Sequence, residues 1–132
     1  SHELDLKNSP GGIVDIEFLV QMFQLRYGRK LATLRMGQTA RLIEELGNLD
    51  VIPAKEARRL RETYLFYRRI ETYLHIGLER PRAKIPLRGE KLEILARLLH
   101  FKNGQVFLNE LKSKFKQTSD ALKSFKVMLK AS

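Results

Sequence analysis

Apolar residues recur along this chain at two different periods, and the change from one to the other falls early. Leu4 and Leu6 alternate with Glu3, Asp5 and Lys7, the period-two pattern of a strand with one covered face. Asn8, Ser9, Pro10, Gly11 and Gly12 then form a turn, after which the spacing becomes three and four. Residues 13–27 predict a first helix, with Ile16, Leu19, Val20, Phe23 and Tyr27 on one broad face and Phe18, Met22 and Leu25 on a second. Hydrocarbon wrapped so far round predicts contact on several sides, and therefore the central helix of a bundle.

The remaining helices follow from the same arithmetic. Thr39 is the expected cap of a short second helix, with Leu42, Ile43 and Leu46 inward and Gly47 as its stop. Pro53 opens a third helix that runs to about Leu78 through Ala57, Leu60, Tyr64, Tyr67, Ile70 and Leu74. The stretch RPRAKIPLRG, with Pro81 and Pro86, predicts a loop. A fourth helix is expected at about 90–101 from Leu92, Leu95, Ala96 and Leu99, and a break at Asn103 and Gly104. The last helix, about 105–129, carries Leu108, Leu111, Phe115, Thr118, Leu122, Phe125 and Leu129 as a packing seam. The expected fold is all-α, an up-and-down bundle of about five helices occupying residues 13–130, preceded at 1–12 by a short N-terminal strand remnant and Gly-rich turn. Having lost its sheet, that strand is expected to fray in a monomeric domain.

Composition narrows the chemistry. The chain has 132 residues and no cysteine, which removes disulfides and thiolate metal sites and suits a reducing, cytoplasmic setting. His2, His75 and His100 are scattered, so no histidine metal site is expected, and no apolar run reaches the roughly 20 residues of a membrane helix. The net charge of +10 is unevenly placed: residues 1–50 hold six Lys or Arg against seven Asp or Glu, and the rest of the basic excess lies beyond them. Such a field favours an acidic partner. The lysines of the last helix, Lys112, Lys114, Lys116, Lys123, Lys126 and Lys130, are read as spread over most of its exposed circumference. They therefore count mainly as solubilising charge, and nucleic acid is not an expected partner.

Few residues offer chemistry. Asp15 and Glu17 stand two apart on a helix and diverge by about 160°, so they cannot hold one ion together. Asp15 reads either as a carboxylate complementing the helix start or as a group facing a neighbouring active site. Gly11 and Gly12 before a helix, with Lys7, read either as a simple turn or as amides that attract a phosphate. Glu71 falls inside the apolar stripe of the third helix and needs a partner, for which Arg68, Arg26 or a tyrosine hydroxyl is available. His75 is expected to be a satisfied bundle histidine. No catalytic set is complete, so the chain alone is read as non-catalytic and as binding no metal.

Two strings carry a family resemblance. DLKNSPGGIVDIEFLVQ, residues 5–21, is similar in Asp5, Lys7, Gly11, Gly12, Asp15, Ile16, Glu17, Phe18 and Gln21 to the segment after the nucleotidyltransferase fold in glutamine synthetase adenylyltransferases. YLFYRRIETYLHI, residues 64–76, resembles that family's tyrosine, double arginine and glutamate on a later helix. The resemblance implies a helical accessory domain with residues 1–12 left from a preceding nucleotidyltransferase domain. Lys7, Gly11, Gly12 and Asp15 would then lie beside the active site. It implies magnesium and ATP as cofactors of the full-length enzyme, with none bound by this chain, and glutamine synthetase and the PII signalling protein as partners. The reaction implied is transfer of AMP to a tyrosine of glutamine synthetase, or its phosphorolytic removal. Which of the two heads is served stays open. The alternatives are the matching domain of a PII uridylyltransferase, against which Val14 and the Ile16-Glu17-Phe18 triplet speak, and a free-standing basic helical interaction module.

Overall fold

The computed structural model describes residues 3–77 and 83–131. Five helices dominate: α1 (Ile13–Tyr27), α2 (Thr39–Asn48), α3 (Ala54–Ile76), α4 (Glu90–Leu98) and α5 (Gly104–Ala131). A single 3-10 turn, Ala32–Leu34, interrupts the loop after α1. The sheet consists of β1 (Glu3–Asp5) and β2 (Lys84–Pro86), paired antiparallel with Leu4 opposite Ile85. One cluster of buried side chains runs through every helix and includes Leu6 and Ile85, both 0% exposed.

The bundle is held around α3 rather than α1. α3 packs against each of the other four helices, and its Tyr67, Ile70 and Leu74 are wholly buried. The expectation of a central α1 fails on its second face, where Val14, Phe18 and Leu25 are 43%, 55% and 87% exposed. Apolar composition shows that a helix has more than one greasy face; it does not say that both are covered.

The frayed N-terminal strand also gives way to a different finding. The stretch expected to be a loop contains β2, and the Leu6 N–H continues the ladder by donating to the Ala83 carbonyl at 2.9 Å. Three residues ending in proline are too short to show alternation, and Pro86 is tolerated because a two-stranded ribbon leaves an outer edge unpaired. The ribbon survives because Leu6 and Ile85 bury hydrocarbon in the helical core.

Boundaries differ by small amounts at helix ends. Thr39 is the first residue of α2 and Gln38, not Thr39, occupies the capping position, while α4 stops at Leu98. α3 ends at Ile76, and Leu78 lies outside the described residues. Asn103 breaks α4 from α5 by capping the latter: its Oδ1 accepts the Val106 N–H at 2.9 Å. His75 is exposed on the last turn of α3, so it is not a bundle histidine.

Leu6 separates a docked ribbon from a dangling one. Leu6→Ala should cost about 2–4 kcal/mol by opening a cavity in the core, while Leu25→Ala on the open face should change stability by less than about 0.5 kcal/mol. Urea melts of the two variants measure this, and matching midpoints would detach β1 from the bundle.

Candidate functional site

The residues between β1 and α1 build a turn that satisfies itself. Asp5 Oδ1 accepts the backbone N–H groups of Lys7 and Asn8 at 3.0 and 2.9 Å. Its Oδ2 accepts Lys84 Nζ from β2 at 2.7 Å and Asn8 Nδ2 at 3.2 Å. Partial burial pushes this carboxyl up, but the Lys84 ammonium and the donors of Asn8 and Lys7 outweigh it and hold the pKa down at about 2.

The next residues leave few free donors. Gly12 N–H donates to Ser9 O at 2.8 Å, Ile13 N–H to Leu6 O at 3.1 Å and Val14 N–H to Lys7 O at 3.0 Å. Gly11 N–H donates to Asp15 Oδ2 at 2.9 Å. The amides of Gly11, Gly12, Ile13 and Val14 are therefore spent inside the turn, an arrangement that suits the simple-turn reading of the two glycines. Asp15 completes this loop from within α1.

Both glycines are required by space. Gly11 has φ +81°, and a Cβ there would lie 2.2 Å from the Phe115 carbonyl oxygen of α5. A Cβ on Gly12 would meet Leu6 O at 2.6 Å and Ser9 O at 2.9 Å. The bare backbone at Gly11 lets the turn lie directly on α5. Its carbonyl also accepts the Tyr67 hydroxyl of α3 at 2.9 Å. Tyr67 is wholly buried, and burial pushes its phenol well above the usual range despite a countering hydrogen bond from Thr118.

Two more contacts tie the same segment to α3. Glu71 is 9% exposed, and its carboxylate lies 3.2 Å from Lys7 Nζ and 3.1 Å from an Arg68 terminal nitrogen. Two turns earlier on α3, the Tyr64 hydroxyl donates to Glu17 Oε2 at 2.7 Å. Burial first, and then the Glu17 bond, push the Tyr64 phenol upward.

The sequence candidates are thus divided by the structure. Lys7, Arg68 and Glu71 come together as an ion-paired group, while Gly11, Gly12 and Asp15 form the turn beside it. Arg26 sits exposed near the far end of α1 and is not a partner of Glu71, because Lys7 arrives from the turn instead. Glu17, pointing away from Asp15, reaches the Tyr64 hydroxyl of α3. Its bond to Tyr64, the Tyr67 bond to Gly11 and the Asp5–Lys84 pair escaped sequence reasoning, although a tyrosine inside a buried stripe does signal that its hydroxyl has a partner. Among the described residues, no three His, Cys, Asp or Glu side chains gather to hold a metal ion.

The two strings singled out by resemblance are therefore one physical unit, joined through Lys7–Glu71, Gly11–Tyr67 and Glu17–Tyr64. Residues 1–129 match the family model described as GlnD PII-uridylyltransferase. The chain belongs to this family. Among curated proteins it is similar to bifunctional glutamine synthetase adenylyltransferase/adenylyl-removing enzymes. That of Acinetobacter baylyi is 28% identical over 90% of this chain and 13% of its own length. That of Xanthomonas campestris pv. campestris is 34% identical over 81% of the chain and 11% of its own length. A third, from Mannheimia succiniciproducens, is 39% identical over 53% of the chain and 7% of its own length. The chain thus matches only a small part, about one eighth or less, of these family relatives.

Two expectations follow from the unit. Gly11→Ala should lose more than about 2 kcal/mol, since both the positive φ and the Phe115 carbonyl oppose a methyl, whereas Tyr67→Phe should lose about 1–2 kcal/mol by stranding the Gly11 carbonyl. Chemical denaturation of each variant measures both; a Gly11→Ala protein as stable as the parent would remove the turn-on-helix packing. The second concerns pH. The Asp5 pKa is lower folded (about 2) than at its ordinary 3.8, so its contribution is fully present well above the higher value and is lost as pH falls through the lower one. That loss should reach on the order of 2 kcal/mol between about pH 5 and pH 2, and Lys84→Met should flatten this part of the stability curve.

Proposed function

We propose that this chain is the helical accessory domain of a glutamine synthetase adenylyltransferase/adenylyl-removing enzyme, seated against one nucleotidyltransferase head and helping to close its nucleotide site. In that reading residues 1–12 connect the head to the bundle and 13–130 form the bundle, in a cytoplasmic enzyme of nitrogen regulation. The intact enzyme moves AMP between ATP and a tyrosine of glutamine synthetase, with magnesium at the head and the PII protein as regulator. The observation that carries the proposal is the joined pair of motifs: three polar contacts lock the start of α1 to α3 in one orientation.

The carboxylates of the junction do not fit a magnesium or ATP site of their own. Asp5 is taken by Lys84 and two amides, Asp15 by the Gly11 amide, Glu17 by Tyr64 and Glu71 by Lys7 and Arg68, each in its own direction. What these residues do is hold a surface. Val14, Phe18 and Leu25, at spacings of four and seven on α1, form an exposed apolar stripe immediately after the locked turn. Relatives several times longer than this chain carry more polypeptide to cover such a stripe, and we assign the head to it. Lys7 and Arg68, about half exposed, border the same junction and supply positive charge toward a nucleotide.

The description of the matching family model favours a second reading, the equivalent domain of a PII uridylyltransferase. Substrate decides between them, because the full-length enzyme either transfers AMP to glutamine synthetase or UMP to PII.

Phe18→Glu in the full-length enzyme should lower adenylylation or deadenylylation of glutamine synthetase by about tenfold or more, with the melting curve kept. Ile76→Glu, on an equally open position at the end of α3, should leave both rates alone. Unchanged rates in both directions for Phe18→Glu would remove the stripe from the head interface.

A further inference from the structure

The lysines of α5 are not spread around it. α5 is one unbroken helix from Gly104 to Ala131, and at 100° per residue Lys112, Lys116, Lys123, Lys126 and Lys130 fall within an arc of about 80°. Lys114 alone lies on the other side, where its Nζ stands 5.5 Å from the Phe66 ring centre and 3.5 Å from Glu110. The row runs about 27 Å along the helix, at 1.5 Å per residue. Within α5, Asp120 answers the row by pairing with Lys116 at 3.4 Å.

The first half of the row borders a groove. Lys112, Lys116 and Lys123 line a depression of ≈ 430 Å³ between α5 and the N-terminal ribbon, whose apolar lining is Leu4, Pro10 and Phe115. The groove exists because Gly11 lets the turn lie on the Phe115 carbonyl. Charge and hydrocarbon therefore occur together at one place on a chain whose net charge is +10.

We infer that this groove and lysine row bind an acidic segment of a partner protein, with carboxylates along the lysines and an apolar side chain on Leu4 and Pro10. Charge complementarity selects an anion, and the apolar lining selects a polypeptide over a polynucleotide. A phosphodiester backbone has nothing to place on Leu4 and Pro10, and Phe115 is 7% exposed, too covered for a base to stack upon. Lysines in a single row are point charges without the planar fork that arginine offers to phosphate. An amphipathic acidic helix presents carboxylates at the same three- and four-residue spacing. The inference rests on the charge pattern and the groove, and holds whichever enzyme of the family contains the chain.

The test uses this chain and a fluorescein-labelled synthetic helix of glutamates with leucine on one face, read by anisotropy at low salt. Changing Lys112, Lys116 and Lys123 together to Gln should weaken binding by about tenfold, whereas the same change at Lys55, Lys91 and Lys102, exposed on other elements, should weaken it less than about threefold. Leu4→Ser, which keeps every charge, should also weaken binding to the labelled helix. Equal losses for the two lysine triples would reduce the effect to net charge and overturn the site. A labelled oligothymidylate that binds more tightly than the peptide, and loses affinity with the same triple, would make the row a nucleic-acid surface instead. Melting curves accompany each variant; the control triple and the groove triple remove equal charge, so a loss of binding tied to loss of fold is seen directly.

Discussion

One atom's absence organises this molecule: the missing Cβ of Gly11. The residue lies against the α5 backbone, accepts a hydrogen bond from a hydroxyl of α3, donates to a carboxylate on α1 and sits in the turn that joins the ribbon to α1. Any side chain at that point would push α5 away from the turn and break the Tyr67 bond. With Gly11 in place, the first turn of α1 can spend its amides on Ser9, Leu6 and Lys7 carbonyls rather than on water. The direction in which α1 leaves the turn is then fixed by backbone geometry before any side-chain packing is considered.

Around this point the polar groups divide according to how they are compensated. Glu71 is nearly buried, and a lone carboxylate there would be strongly destabilising; two cations, one from the turn and one from its own helix, offset its desolvation. Tyr67 is wholly buried and uncharged, and neutral partners suffice: the Gly11 carbonyl accepts its hydroxyl proton and Thr118 adds a second hydrogen bond. Asp5 and Lys84 sit closer to water and stitch the ribbon, which alone would be too small to persist. The connections are specific because each would be costly if mispaired, and that cost selects one arrangement of α1 against α3 more sharply than hydrocarbon contact does.

The helices were legible because period and core agree: Leu42, Ile43 and Leu46, or Leu111, Phe115 and Leu122, are buried where spacing places them. Glu71 was legible as a residue in need of a partner, since a charge within an apolar stripe has few outcomes. Arg68, one of its two partners, was legible one turn away on the same helix; the other, Lys7, was not, because it approaches across 64 positions of chain and no local rule links them. β2 was hidden by brevity and proline. The exposure of Phe18 and Leu25 was hidden for another reason: composition reports that a surface is apolar, but its covering depends on what else is present. The lysine row was open to arithmetic throughout, and reading its residues as scattered missed a periodicity that 100° steps make plain.

The junction and the groove share a cause, which bears on how a domain of this kind could act on chemistry it does not perform. A surface that positions a neighbour is useful only if its parts keep a fixed relation. Here the α1 stripe begins two residues beyond Gly12, at Val14, and the α5 groove is closed by Leu4 and Pro10 on the other side of the same turn. Both are therefore referenced to one small region of backbone whose donors are internally spent. A displacement of the turn would shift the stripe and the groove together, since α1 leaves directly from it and Pro10, within it, forms one wall of the groove. This arrangement supplies a physical route by which a ligand on α5 could alter the seating of α1, provided that it binds two positions of the turn with different affinity. The coupling would be carried by Gly11 and its contacts to Phe115, Tyr67 and Asp15, rather than by any chain of charged residues across the surface.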